Sequence, residues 1–122
     1  MTTTYAYGDG KTGDAWNGGA CKQNWGMMRV CHPAWNALGP NDYNTGAAVN
    51  SNRTLDVTVY NECRAYYAGN LWFAGHRNGA TGLANPNTQD INNFIAGYNW
   101  TYTNIFNHLD DDVRFWVSLP AI

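Results

Sequence analysis

Charge is what this chain has least of. Only 13% of its 122 residues are Asp, Glu, Lys or Arg, the net charge is −2, and the basic residues Lys11, Lys22, Arg29, Arg53, Arg64, Arg77 and Arg114 stand singly. A nucleic-acid binder gathers such residues into a patch or stripe, so no nucleic acid is expected as a partner. No apolar run approaches the roughly 18 residues that mark a membrane span, so no membrane partner is expected either. The opening MTTTYAYGDG has neither the basic start nor the apolar stretch of a signal peptide, so a leader is expected to have been removed or to precede this chain. Glutamate occurs once, at Glu62, and no GxSxG nucleophile motif is present. The three histidines form no ligand set: His32 precedes a proline, His76 lies in a Gly-rich stretch and His108 ends a helical pattern. No metal and no other cofactor is expected.

What the chain has instead is aromatic rings, at 15% of residues with six Trp and eight Tyr, together with abundant Asn, Thr and Gly. Neutral hydrogen-bonding groups beside flat apolar faces suit an uncharged, polyhydroxylated ligand, although many extracellular proteins share that composition without touching sugar. The length allows one core, and Gly and Pro fall as punctuation between short elements, so residues 1–122 are read as a single domain. Three cysteines allow one disulfide. Cys31 and Cys63 each lie in a helical pattern and are expected to staple two helices; Cys21 is left either as a buried thiol or as the partner of a segment missing from this chain.

The pattern is mostly helical with a small β part, an α+β class. Thr2 to Tyr7 alternates like a strand, Gly8-Asp9-Gly10 reads as a turn, and a small hairpin is expected around Lys11 to Ala20. A short helix is expected from Lys22 to Val30, ending near His32-Pro33. Thr54 is a candidate N-cap for a helix carrying Val59, Tyr60, Cys63, Tyr66 and Tyr67, stopped at Gly69-Asn70, although DVTV also suits a strand. From Asn87, read as a cap, to Leu109 an apolar stripe runs through Ile91, Phe94, Ile95, Tyr98, Tyr102, Ile105 and Phe106. Asp110 to Asp112 should end that helix, and VRFWVSLPAI reads as a short element packed on the core.

Asp14, in KTGDAWNGGACKQNW, is the most suggestive acid. Glycine, amide and indole neighbours could hold it at a cleft edge where a carboxylate activates water, while an Asp beside Gly is also an ordinary turn residue. His76, Arg77 and Asn78 cluster in FAGHRNG, read as an exposed loop of the kind that carries binding groups. Trp16, Trp25 and Trp72 sit near Gly-rich punctuation and are candidate sugar platforms, whereas Tyr98 and Tyr102, on a helical stripe, read as core.

With GDAWNGGACKQNWGMMR, DVTVYNECR, GHRNG and DDVRFWV in view, the chain resembles the endo-β-1,4-mannanases of glycoside hydrolase family 134 over nearly its whole length. The resemblance implies a lysozyme-like fold, with a helical lobe, a small β-hairpin lobe and a substrate cleft between them. It implies a secreted, monomeric enzyme that cleaves β-1,4-mannan or manno-oligosaccharides with inversion. Asp14 then matches the general base, placed on the hairpin. Lys11, Asn17, Lys22, Gln23 and Asn24 are expected on the cleft side with it, and Trp25, His76, Arg77 and Asn78 on the opposite wall. The family's acid glutamate lies shortly before its aspartate, where this chain has Met1 to Thr4 and no glutamate. The chain is therefore expected to lack an upstream helical segment or to carry a replaced acid, with Asp9 and Glu62 as the remaining candidates. A non-catalytic carbohydrate-binding protein and a lysozyme-like hydrolase of aminosugar polymers are the alternative readings.

Overall fold

The hairpin forms later in the chain than its sequence suggests, because a buried carboxylate decides where it turns. In the computed structural model, which describes residues 7–108, β1 (Asn17–Gly18) pairs antiparallel with β2 (Gln23–Asn24), setting Asn17 opposite Asn24 and Gly18 opposite Gln23. Residues 11–16 precede this sheet and do not form the hairpin. The turn needs left-handed backbone at Gly19 (φ 74°) and Lys22 (φ 48°), a region that glycine enters freely and other residues seldom adopt. Beneath it lies Asp56, 1% exposed. Its Oδ2 accepts from the Ala20 N–H at 2.9 Å and its Oδ1 from Gln23 Nε2 at 2.7 Å, while Asn50 Oδ1 accepts from the Gly19 N–H at 2.8 Å. A Cβ on Gly19 would stand 2.0 Å from Asp56 Oδ1, so this approach excludes any side chain.

β2 runs straight into α1 (Trp25–Cys31), which stops before His32-Pro33 as expected. A single-turn segment at Pro40–Asp42 and α2 (Tyr43–Gly46) lead to α3 (Arg53–Tyr66). The cap of α3 is Asn52, whose Oδ1 accepts from the Leu55 N–H at 3.0 Å. Thr54 therefore lies inside the helix and DVTV is helical. Gly69 (φ 64°) separates α3 from α4 (Asn70–Ala84). That helix takes in FAGHRNG, so His76, Arg77 and Asn78 stand on a helix and not on an exposed loop. Its glycines cost helix propensity of roughly 1 kcal/mol each, and packing on α1 and α5 overrides that cost. The glycine signal survives only as a kink at Gly79 (φ 57°). α5 (Gln89–Ile105) begins after Thr88, one residue beyond the expected cap Asn87, and passes into a single turn at Phe106–His108.

The core forms where α1, α3 and α4 meet. Trp25, Met28, Val59 and Ile91 are fully buried, and Trp16 and Trp72 are buried with them, so none of the three tryptophans read as platforms presents a face to solvent. Trp25 donates its indole N–H to the Gly39 carbonyl at 3.2 Å and packs on Trp35. Burying these large rings contributes more than exposing them for a ligand would. Cys31 and Cys63 form the disulfide between α1 and α3, with Cα atoms 5.0 Å apart, and Cys21 is free and exposed on the hairpin turn. On α5, Phe94, Ile95 and Tyr98 pack against the core, while Tyr102, and Phe106 in the turn that follows, are exposed, so Tyr102 is not a core residue. Of the expected strand from Thr2 to Tyr7 only Tyr7 is described, in a helical turn at Tyr7–Gly10, and its other residues and the expected elements from Leu109 onward lie outside the described residues.

Asn at position 56 supplies one acceptor where Ala20 and Gln23 present two donors. Asp56→Asn is expected to cost about 1–3 kcal/mol of stability, read as a lower urea midpoint with an unchanged slope.

Candidate active site

Asp14 sits on a single helical turn, Gly13–Ala15, just ahead of the hairpin rather than on it. The turn lies on the start of α1. A Cβ at Gly26 would come within 2.9 Å of Asp14 Cβ, so glycine at this position admits the close approach. Three residues on from Gly26, and on the same helix face, Arg29 meets the carboxylate with two parallel bonds, Nε to Oδ1 at 2.7 Å and Nη2 to Oδ2 at 2.8 Å. Its remaining Nη1 donates to the Leu38 carbonyl at 3.4 Å. The guanidinium hydrogen bonds hold the Asp14 carboxyl below the usual carboxylate range against the opposing effect of burial. The side chain of Asp14 nevertheless stays 43% exposed, so an ionised carboxylate faces solvent.

It faces a pocket of about 530 Å³. Lys11, Asp14, Asn17 and Asn24 form one wall, and Met27, Arg29 and Tyr67 contribute from α1 and the end of α3. His76, Arg77, Asn78, Gly79 and Leu83 form the α4 wall. The His76 ring is stacked on Trp72 at 4.7 Å with planes 9° apart and on Phe94 at 5.9 Å and 17°. Burial pulls its pKa down to about 4. The imidazole is thus neutral near pH 7 and offers one donor and one acceptor. Beside it, Asn78 donates to Asp90 Oδ2 at 2.7 Å, and Arg77 Nε lies 3.9 Å from the same oxygen. Asp14 is the one carboxylate among the described residues lining the pocket. No group of three or more His, Cys, Asp and Glu side chains among those residues is arranged to hold a metal.

Residues 1–119 match the description of glycosyl hydrolase family 134. The chain belongs to that family. No curated protein matches it significantly. Membership of family 134 makes the chain a glycoside hydrolase, with a polysaccharide as its class of substrate. The family resemblance drawn from the sequence motifs is thereby borne out.

Of the residues the sequence marked, Lys11, Asp14, Asn17, Asn24, His76, Arg77 and Asn78 come together at the pocket of this family 134 chain. Three others do not reach it. Trp25 is enclosed in the core. Gln23 points to the other side of β2 from Asn24, because successive strand residues face opposite ways, and is buried against Asp56. Lys22 is turned outward, with Nζ 2.5 Å from Asp9 Oδ1. Neither remaining acid candidate lines the pocket: Asp9 pairs with Lys22 and Asn17, and Glu62 Oε2 lies 2.5 Å from His32 Nδ1. Sequence reading missed Arg29 and Tyr67. The available signal for Arg29 was the scarcity of charge, since each cation in such a chain has few possible partners.

His76 yields a pH signature. The unfolded chain takes up this proton near pH 6.5, the folded chain only near pH 4. The contribution to stability is therefore complete above pH 6.5 and is lost as pH falls toward 4, by up to roughly 3 kcal/mol. His76→Phe is expected to flatten the unfolding free energy across that interval, measured by urea denaturation at several pH values.

Proposed function

We propose that this family 134 hydrolase cleaves internal β-1,4-mannan linkages with inversion and that Asp14 is its general base. The observation that carries the reading is the half-exposed Asp14 carboxylate, kept ionised by Arg29 at the edge of the pocket. Such a group accepts a proton from water as the water's oxygen attacks the anomeric carbon opposite the departing sugar. Inversion places the proton-donating carboxyl about 6.5–9.5 Å from the base, leaving room for that water. Mannan is neutral and hydroxylated, and the amides of Asn17, Asn24 and Asn78 with the neutral His76 imidazole offer donors and acceptors without net charge. Val30, Tyr67 and Leu83 line the pocket with apolar surface for sugar C–H faces. The Cys31–Cys63 disulfide suits a secreted protein.

Asp14→Asn keeps a hydrogen-bonding side chain but cannot take the proton of water. It is expected to lower manno-oligosaccharide hydrolysis by about 10²–10⁴-fold while calorimetry still detects oligomer binding; unchanged turnover removes Asp14 from the mechanism. Wild-type protein is expected to release products from manno-oligosaccharides and none from chitin oligomers, the reverse result favouring the aminosugar reading.

The chain's sole glutamate stands against His32, and Asp14 is the one described carboxylate at the pocket. Proton delivery to the leaving oxygen is therefore expected to limit the 122-residue chain. A glycosyl fluoride, whose leaving group departs without a proton, should be turned over faster than unactivated mannan by about 10²–10⁴-fold. Equal rates would place an effective acid in the chain.

A further inference from the structure

We propose that Arg29 is a positioning residue that fixes which side of the Asp14 carboxylate meets the attacking water. The inference rests on Asp14 acting as the base.

An ionised carboxylate has about four lone-pair sites. The Arg29 fork occupies one on each oxygen, at 2.7 and 2.8 Å, and leaves one on each oxygen for the exposed side. The guanidinium is itself held. Its third nitrogen donates to Leu38, its side chain is only 22% exposed, and its helix is stapled to α3 two residues later through Cys31. The turn carrying Asp14, by contrast, is only three residues long. Without the fork the carboxylate regains rotamer freedom, and a base that wanders by about 1 Å can cost on the order of 10²-fold in rate.

Around Asp14 stand Arg29 from α1, Lys11 from the preceding segment, Tyr67 from the end of α3, and His76 and Arg77 across the pocket, while Asp42 belongs to the Pro40–Asp42 turn that packs against Gly13–Ala15 and accepts from the Gly39 N–H. Among these, Arg29 alone hydrogen-bonds the carboxylate, and the same bonds hold its proton affinity down. Removing the fork therefore moves Asp14 toward the ordinary carboxylate value.

The test uses the full chain with Arg29→Lys and Arg29→Gln, reading the Asp14 carboxyl titration by carbon NMR and the pH dependence of kcat and KM on the glycosyl fluoride. Arg29→Gln is expected to raise the Asp14 midpoint toward the ordinary carboxylate value and to shift the acidic limb of the rate profile with it. Both variants should lose kcat by about 10²-fold with a smaller change in KM. Lysine should recover part of the midpoint shift but little of the rate, because a single ammonium cannot hold both oxygens. An unmoved Asp14 midpoint in Arg29→Gln, or wild-type kcat in Arg29→Lys, overturns the proposal. Should Arg29→Gln fail to fold, the lysine variant decides by its kcat. If Asp14→Asn retains full turnover, the base reading fails, and with it the catalytic role of Arg29, while the NMR midpoint still reports whether the fork tunes the carboxyl.

Discussion

Asp56 is the point on which the front wall of the pocket depends. A ladder of two residues per strand cannot sustain itself in water, and this one is held by a carboxylate that reaches from α3 to the turn amide of Ala20 and the side chain of Gln23. Once the turn is fixed, Asn17 and Asn24 are fixed opposite each other. Because β2 leads directly into α1, the same contact sets where Arg29 emerges. The Cys31–Cys63 bond then closes the circuit by joining the far end of α1 back to α3. Burying a charge is expensive unless its hydrogen bonds are made, and the hairpin makes them; the remaining Gln23 Oε1 is buried without a partner.

Two aspartates thus serve opposite purposes through their surroundings. Asp56 is enclosed and spends its oxygens on amide donors, which makes it part of the scaffold. Asp14 is bound on one side by a guanidinium and open on the other, which leaves it ionised and able to accept a proton. The facing wall carries a histidine kept neutral by burial between two aromatic rings. The pocket therefore sets one ionised carboxylate, flanked by Lys11, Arg29 and Arg77, among amide and imidazole groups that bond hydroxyls, an arrangement that suits a polysaccharide.

Elements with local signals were legible beforehand. α1 carried a proline stop, α3 an apolar period with a cysteine, and α5 a stripe with an acid in its first turn, because periodicity and breakers act over a few residues. α4 was not legible, since glycines at 75 and 79 made FAGHRNG read as a loop and only the packing of α1 and α5 around it makes a helix. The tryptophans misled for a related reason: a large ring beside glycine serves equally as a platform or as core, and burial is a property of the assembled layers.

By itself the sequence determined the helical class with its small sheet, the cysteine pair and the family to which the chain belongs, all carried by spacing and motif within short stretches. It also marked Asp14 and the His76-Arg77-Asn78 group that meet at the pocket. The tertiary structure alone decided that Asn24 faces the pocket while Gln23 turns to Asp56, that Trp25 is sealed in the core, and that Arg29 grips Asp14. Each of these is a contact between segments whose relative placement depends on the whole packed arrangement, and no local period or propensity encodes it.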